Sequence, residues 1–318
     1  MVTKAKPLEQ HVARAATPRI STPFVRLAQL LLTVSLGAAA STAIADCGGI
    51  VLHAHRGSPE HPENSLSSVR AALAGSWDGV EIDLQQLRDG TSVLHHDPLL
   101  GRTTSLRGRA TGSLDATAWR EVRLKNRKGD LTREAPPFLD DVLGVMKESP
   151  KVLNAEIKQA FSNCGVAERT VRAMHEGRSS GQWFVTAIER AHLRCARQVD
   201  PTGYLGIIVL DLQSVALQER RIAEPLRVPQ PQVDARWLEA LQREVGAPVG
   251  VHLDVHTLAS QPAILAMARE RGMAVFTYSL ADDRRHADAL RRVAERTQLW
   301  PTGAIIDGDP DVFCRALR

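Results

Sequence analysis

The feature that most constrains the fold is a regular alternation of short, β-branched apolar runs with helical stretches from residue 50 onward. Eight of the runs have the length and composition of buried parallel strands. The predicted strands are Ile50–His55, Val80–Leu84, Val152–Ile157, Phe184–Ile188, Tyr204–Val209, Pro248–Leu253, Ala274–Tyr278 and Ala304–Asp307. Eight strand–helix units in about 270 residues match the size of an eight-stranded parallel barrel. The sequence therefore predicts an α/β fold, a (β/α)8 TIM barrel.

An open doubly wound sheet is the alternative fold for this alternation. That fold usually carries a glycine-rich phosphate-binding loop after its first strand, and no such loop follows Ile50–His55. The apolar fraction of 43% and the charged fraction of 24% are ordinary for a globular chain and exclude a disordered one. We therefore predict a single barrel domain over residues 46–318.

The second predicted strand continues into a hairpin. Asp89 and Gly90 lie between two extended stretches, and an Asp-Gly pair favours a tight turn. Residues 97–137 follow this hairpin and are polar and rich in Gly, Arg and Thr. We predict that they form a small excursion inserted at the active-site end of the barrel, with a plain surface loop as the alternative.

Residues 1–45 have the organisation of a secretory signal peptide. Arg26 precedes an apolar run over 27–40, and the small residues Ala43 and Ala45 then form a signal-peptidase pattern. The apolar run is shorter than the ~20 residues that a membrane-spanning helix needs. We therefore expect an exported protein, periplasmic or secreted, with no stable membrane insertion after signal cleavage.

The charge distribution limits which binding partners can be expected. The net charge is +4, and residues 1–45 hold five basic residues against one acidic residue, so this segment accounts for the whole excess. A neutral body gives no electrostatic reason to expect nucleic acid or an anionic membrane as a partner. A small-molecule substrate is the expected partner.

Export changes the meaning of the four cysteines, because an oxidising compartment permits disulfide bonds. None of them has the C-x-x-C spacing of a zinc site. In the predicted barrel, Cys164 and Cys195 lie at consecutive, neighbouring helices, whereas Cys47 and Cys314 lie at the seam where the first and eighth units meet. We therefore predict the bonds Cys164–Cys195 and Cys47–Cys314, and four free thiols are the alternative.

Three consecutive strands direct polar side chains to one face near their carboxyl ends, because residues at i and i+2 share a face. These side chains are, in strand order, His53 and His55, then Glu81 and Asp83, then Asn154, Glu156 and Lys158. In a barrel, the carboxyl ends of the strands carry the active site. The pattern therefore indicates a functional site at this end.

The carboxylates of Glu81, Asp83 and Glu156 are the candidate metal ligands within this set. Burying three carboxylates together is costly through desolvation and mutual repulsion. A hard divalent cation, Ca²⁺ or Mg²⁺, removes that cost and prefers oxygen ligands. The alternative is that the carboxylates pair with Arg or Lys in a structural network.

The ordered motifs resemble the glycerophosphodiester phosphodiesterase family. They are His55-Arg56-Gly57, Pro62-Glu63-Asn64-Ser65, Glu81-x-Asp83, His96-Asp97, Glu156-x-Lys158, Val275–Ser279 and Gly303–Pro310. The resemblance covers residues 50 to 310. Ser65 stands where the family usually has Thr, Phe276 stands where it has Trp, and the Ser-Phe pair common after the fourth strand is absent. These departures concern the choice of substrate more than the chemistry.

The resemblance implies metal-dependent hydrolysis of a glycerophosphodiester to an alcohol and glycerol 3-phosphate. By this resemblance, one divalent cation is held by Glu81, Asp83 and Glu156. His55 is the expected general base and His96 the general acid. The resemblance also implies that Arg56 and Lys158 contact the substrate phosphate.

Two other functions compete with this interpretation. A zinc amidohydrolase barrel opens with a His-x-His pair, as His53 and His55 do here, but it also needs histidines on middle strands, and the runs 184–188 and 204–209 have none. A non-catalytic exported barrel that binds phosphodiesters or glycans would be expected to lack a catalytic histidine or a metal carboxylate. All five of those residues are present in this sequence.

Overall fold

The computed structural model describes residues 47–158, 164–214, 229–279 and 282–318. The predicted signal segment, residues 1–45, lies outside the described residues. Among the described residues, no helix combines the length and the apolar character that crossing a bilayer requires.

Eight parallel strands close into a barrel, and one short antiparallel strand extends it. The strands are β1 (Val51–Ala54), β2 (Gly79–Gln86), β3 (Ser92–Leu94), β4 (Val152–Ile157), β5 (Trp183–Ala187), β6 (Leu205–Val209), β7 (Val249–Asp254), β8 (Val275–Tyr278) and β9 (Gly303–Ile306). Strand β1 pairs in parallel with both β2 and β9, which closes the barrel. The predicted TIM barrel is confirmed, and closure excludes the open sheet.

Most helices cover the outer faces of the barrel strands, whereas the short helix Ala116–Glu121 belongs to the segment after β3. The helices are Leu66–Ala74, Ala116–Glu121, Leu139–Met146, Cys164–Gly177, Arg190–Val199, Ala235–Val245, Val255–Ser260, Ile264–Glu270, Asp283–Thr297 and Pro310–Leu317, with a 3-10 turn at Thr111–Ser113. The apolar residues that alternate with the polar ones on β1, β2 and β4 belong to the buried core between barrel and helices, as their period of two predicts. They are Ala54, Val80, Ile82, Ala155 and Ile157.

Aromatic and imidazole rings fill the inside of the barrel below its carboxyl end. The rings of His53 and Phe184 lie 5.6 Å apart, and those of His252 and Phe276 lie 4.7 Å apart. A Cβ atom at Gly79 would lie 2.6 Å from Nε2 of His53, so glycine at this position makes room for the ring. Burial lowers the pKa of His53 to about 4 and that of His252 to about 3. Both imidazoles are therefore neutral packing groups inside the barrel.

Strand β2 runs on above the barrel and turns back through β3. Leu84 pairs with Leu94 in antiparallel register, and Gly90 in the connecting turn has a φ of +87°, which glycine adopts without strain. The predicted hairpin is confirmed. The segment that follows packs with it around a small apolar cluster of its own, formed by Leu87, Val93, Leu100, Leu114, Trp119 and Val122.

Both disulfide bonds join the predicted pairs. The Cα atoms of Cys47 and Cys314 are 4.8 Å apart, and those of Cys164 and Cys195 are 5.2 Å apart. The first bond ties the segment before β1 to the last helix at the closing seam. The second ties the helix after β4 to the helix after β5, which are neighbours around the barrel.

Removing the Cys47–Cys314 bond is expected to lower the free energy of unfolding more than removing the Cys164–Cys195 bond. The two bonds span 267 and 31 residues, and the chain-entropy model assigns a larger effect to the longer loop, about 5.6 kcal/mol against about 3.7 kcal/mol. Urea unfolding of the paired Cys→Ser variants, each compared with wild type, measures both losses. Equal losses or the reverse order would contradict the loop-length argument.

Candidate active site

Three buried carboxylates meet at the carboxyl ends of β2 and β4. Asp83 and Glu156 are direct neighbours in the parallel pairing of these strands, and Glu81 lies two residues before Asp83 on the same face. One oxygen atom from each carboxylate lies within 4.8 Å of the other two. The exposed fractions of Glu81, Asp83 and Glu156 are 3%, 1% and 8%. Adjacent strands thus place the three acids together, as their sequence spacing predicted.

The electrostatics of these three acids fit a bound divalent cation. Burial, together with the neighbouring charges of Asp83 and Glu156, raises the pKa of Glu81 to about 8. Burial also acts to raise the pKa of Asp83, but the charges of Arg56 and Lys158 outweigh it and hold that pKa well below its usual range. Glu81 is therefore disfavoured as an anion at neutral pH unless a further cation is present. Clustered, buried carboxylate oxygens are the donor set that Ca²⁺ and Mg²⁺ prefer.

Two basic side chains line the same three acids. The Arg56 guanidinium places Nε 3.1 Å from Oδ2 of Asp83, and its backbone N–H donates to Oε2 of Glu81 at 2.9 Å. The Lys158 ammonium lies 2.7 Å from Oε1 of Glu156 and 3.5 Å from Oδ1 of Asp83. Arg56 has a φ of +58°, and this turn after β1 directs its N–H at the carboxylate. The site thus has two cationic side chains directly beside its three acids.

Asn64 fixes Asp83 through a reciprocal pair of hydrogen bonds. Its Nδ2 donates to Oδ2 of Asp83 at 2.7 Å, and the backbone N–H of Asp83 donates to Oδ1 of Asn64 at 3.0 Å. The helix Leu66–Ala74 follows Asn64 in the chain. Ser65 is the N-cap, because its Oγ accepts the backbone N–H of Ser68.

His55 follows β1 and is bonded to a carboxylate from the opposite end of the sequence. Its Nδ1 lies 3.0 Å from Oδ1 of Asp307, which follows β9. Burial and the Arg56 charge act to lower the pKa of His55, but the Asp307 hydrogen bond and the charges of Asp307 and Glu81 outweigh them and raise it. Because Nδ1 is occupied, Nε2 is the nitrogen left to exchange a proton with another group.

His96 follows β3 and has the same kind of partner. Its Nδ1 lies 2.8 Å from Oδ1 of Asp97, and Oδ2 of Asp97 accepts a hydrogen bond from Nε of Arg102 at 2.7 Å. The adjacent His95 turns the other way and is buried edge-on to Trp119, with the ring centroids 6.4 Å apart. The hairpin register therefore directs one of the two consecutive histidines toward Asp97 and the other into the apolar cluster.

Two arginines of segment 97–137 contact Asp97 and Asp307, the carboxylates that bond the two histidines. The sequence did not predict these contacts. Besides holding Asp97, Arg102 donates to both carboxylate oxygens of Glu63, at 2.9 and 2.6 Å. Arg127 places Nη2 3.8 Å from Oδ1 of Asp307. The segment has no regular alternation of apolar and polar residues, so its sequence could not predict where these arginine side chains lie. Arg102 and Arg127 thus lie beside the aspartates that bond the two histidines.

Known proteins share sequence similarity with this chain. Residues 55–307 match the model of the glycerophosphoryl diester phosphodiesterase family. The uncharacterised protein YqiK of Bacillus subtilis is 32% identical over 129 residues, which make up 39% of this chain and 51% of that protein. A glycerophosphodiester phosphodiesterase of Bacillus altitudinis is 26% identical over 168 residues, 51% of this chain and 67% of that one. The matches thus span about half to two thirds of these curated relatives.

A solved structure has the same fold. It is an Oleispira antarctica phosphodiesterase in complex with the product sn-glycerol-3-phosphate, and it superposes with a TM-score of 0.65 at 20% identity, covering 86% of this chain and 98% of that one. The family match runs from the first candidate histidine, His55, to its partner Asp307. The chain therefore belongs to the glycerophosphoryl diester phosphodiesterase family.

Proposed function

We propose that this protein hydrolyses glycerophosphodiesters to an alcohol and glycerol 3-phosphate, using one divalent cation, Ca²⁺ or Mg²⁺. The observation that carries the proposal is the buried set of Glu81, Asp83 and Glu156, whose oxygens lie within 4.8 Å of one another. Family membership supports the reaction class. The glycerol 3-phosphate reported with the Oleispira antarctica phosphodiesterase supports the nature of the product.

In this proposal, Glu81, Asp83 and Glu156 hold the cation, which supplies positive charge for the phosphate oxygens. Arg56 and Lys158 bind the non-bridging oxygens and stabilise the negative charge that grows on them in the transition state. Asn64 keeps Asp83 in place through its two hydrogen bonds. The phosphodiester is thus oriented before any proton moves.

The two histidines divide the proton transfers. His55 acts as base and removes a proton from the nucleophile, which is water or the neighbouring glycerol hydroxyl. If the hydroxyl attacks, it expels the alcohol and forms a cyclic phosphate, which water then opens to glycerol 3-phosphate. His96 acts as acid and gives a proton to the leaving alkoxide. Asp307 and Asp97 accept hydrogen bonds from the two Nδ1 atoms, which presents Nε2 of each ring to the substrate. An imidazole ordinarily titrates near neutral pH and suits either role.

We also propose that segment 97–137 forms part of the active-site wall and that the protein is exported. Arg102 and Arg127 support the first proposal, because they contact Asp97 and Asp307. Two disulfide bonds support the second, because such bonds persist in oxidising compartments.

Chelation separates the proposed hydrolase from its alternatives. The purified protein is dialysed against a chelator and assayed with glycerophosphocholine and with bis(p-nitrophenyl) phosphate, before and after addition of Ca²⁺, Mg²⁺ or Zn²⁺. The proposal expects loss of turnover and its return with Ca²⁺ or Mg²⁺. No turnover under any condition would indicate a binding protein, and turnover of amide substrates restored by Zn²⁺ alone would indicate an amidohydrolase.

Asp307→Asn is expected to lower kcat and to move the acidic limb of the kcat/KM profile to lower pH. The Asp307 carboxylate raises the pKa of His55, so its loss lowers that pKa and lets the base become neutral at lower pH. A pH profile of the variant beside wild type measures the shift. Asp309→Asn, which alters the cap of the last helix, is the control and should leave the limb in place. An unmoved limb in Asp307→Asn would contradict the role of His55 as base.

A further inference from the structure

Asp283 has a carboxylate that its own helix does not use. It is the first residue of the helix Asp283–Thr297, whose N-cap is the preceding residue, Asp282. The Asp282 side chain accepts the backbone N–H of Arg285 at 3.0 Å, so the helix end is already capped. The Asp283 carboxylate instead turns toward the loop that follows β9.

That carboxylate holds two consecutive backbone amides of the loop. The N–H of Asp307 donates to Oδ1 of Asp283 at 3.2 Å, and the N–H of Gly308 donates to Oδ2. A Cβ atom on residue 308 would lie 2.6 Å from Oδ2 of Asp283. Glycine at this position therefore allows the backbone to approach the carboxylate closely enough for both bonds to form.

The peptide held in this way carries the partner of His55. The Asp307 side chain is 41% exposed, so packing constrains it little, and its hydrogen bond to His55 joins residues on opposite sides of the barrel seam. A second charged neighbour, Arg127, is 3.8 Å away, beyond hydrogen-bond length. The direction of the Asp307 side chain thus depends on the backbone that Asp283 anchors.

We propose that Asp283 is a positioning residue for the catalytic base. Its carboxylate fixes the backbone at Asp307 and Gly308, Asp307 then fixes Nδ1 of His55, and Nε2 of His55 faces the substrate. Asp283 touches neither His55 nor the substrate in this scheme. The proposal rests on the proposed function, because it assigns His55 the role of base.

Asp283→Asn tests the proposal, because an amide keeps the size of the side chain but replaces one acceptor oxygen with a donor that faces a backbone N–H. We expect kcat for glycerophosphocholine to fall about ten- to a hundredfold, the scale of a misplaced catalytic group. KM is expected to stay within about twofold, because the groups that bind phosphate are untouched. Asp282→Asn is the matched control, since asparagine caps a helix as well as aspartate does.

A double-mutant cycle separates positioning from a general structural role. If Asp283 acts through Asp307, adding Asp283→Asn to Asp307→Asn lowers kcat by less than about twofold further. The proposal is overturned if the two losses of kcat multiply in the double variant. It is also overturned if Asp283→Asn leaves kcat unchanged, or if Asp282→Asn lowers kcat equally. If Asp283→Asn does not fold, Gly308→Ala gives a second test, because the added methyl pushes the same loop off the carboxylate.

A spectroscopic readout keeps this inference distinct from the proposed function. The proton on Nδ1 of His55, hydrogen-bonded to a carboxylate, is expected as a downfield NMR resonance that His55→Gln removes. Asp283→Asn should shift or broaden it, and Asp282→Asn should not. A wild type without turnover would contradict the proposed function, whereas an unchanged resonance in Asp283→Asn would contradict the positioning role alone.

Discussion

Glu81→Gln is expected to abolish cation binding and phosphodiester turnover while leaving the metal-free protein folded. Glutamine resembles the protonated glutamic acid, and burial and the adjacent acids already raise the pKa of Glu81 to about 8. Without a cation, the wild-type side chain is therefore largely protonated at pH 7, and the substitution changes little. With a cation, the charged form is needed as a ligand, and the substitution removes it. Titration calorimetry with Ca²⁺ and Mg²⁺ measures binding apart from activity.

The same variant should change how stability depends on pH. The folded metal-free wild type keeps a proton on Glu81 up to about pH 8, whereas the unfolded chain releases it near the ordinary glutamate pKa of about 4.5. Between these values the folded state binds more protons, so this group makes wild-type stability fall as pH rises. Glu81→Gln should lack this fall. Thermal unfolding of both proteins, in chelator, from pH 5 to pH 8 measures the difference.

Stabilisation of the folded protein by added cation is the second measurement on this variant. A cation at about a hundred times its dissociation constant should stabilise wild type by about 2.7 kcal/mol and should not stabilise Glu81→Gln. Glu134→Gln is the matched control, because this carboxylate bonds Ser67 rather than the three acids. Full activity of the chelated wild type, or equal cation stabilisation of Glu81→Gln, would show that the three acids are not a metal site.

The sequence predicted the barrel and the acidic set because both follow from local geometry. A strand with period two turns alternate residues to one face, so Glu81 and Asp83 had to share a face once β2 was recognised. The apolar positions Val80 and Ile82 then had to face the helices. The parallel neighbour β4 adds Glu156 at the same level, since Asp83 and Glu156 are register partners.

The same period could not separate His53 from His55. Both side chains turn inward, but only the structure shows that His53 lies among the aromatic rings inside the barrel, and His55 one level higher beside Asp307. Which level an inward residue occupies depends on cross-barrel packing, including the space left by Gly79. The partner of His55 is separated from it by 252 residues, and barrel closure alone brings the two together. Spacing along one strand carries no information about such a contact.

His55→Ala and His96→Ala are each expected to lower kcat by about 10² to 10⁴, the usual contribution of one general acid or base. Each ring is bound to a carboxylate through Nδ1, so each removal deletes a proton donor or acceptor already oriented for transfer. His95→Gln is the matched control, because this neighbour of His96 is buried beside Trp119 and turned away from Asp97. That variant is expected to lose stability rather than kcat.

The two histidine variants should also differ from each other in their substrate dependence. Bis(p-nitrophenyl) phosphate has a leaving group that departs without a proton, whereas the alkoxide of glycerophosphocholine needs one. If His96 is the acid, His96→Ala should lose far less kcat with the nitrophenyl substrate, while His55→Ala should lose a similar factor with both. The opposite pattern would exchange the two roles. An essential His95 with a dispensable His96 would mean that the hairpin between β2 and β3 has a register one residue away from the one described, since such a slip exchanges the two faces.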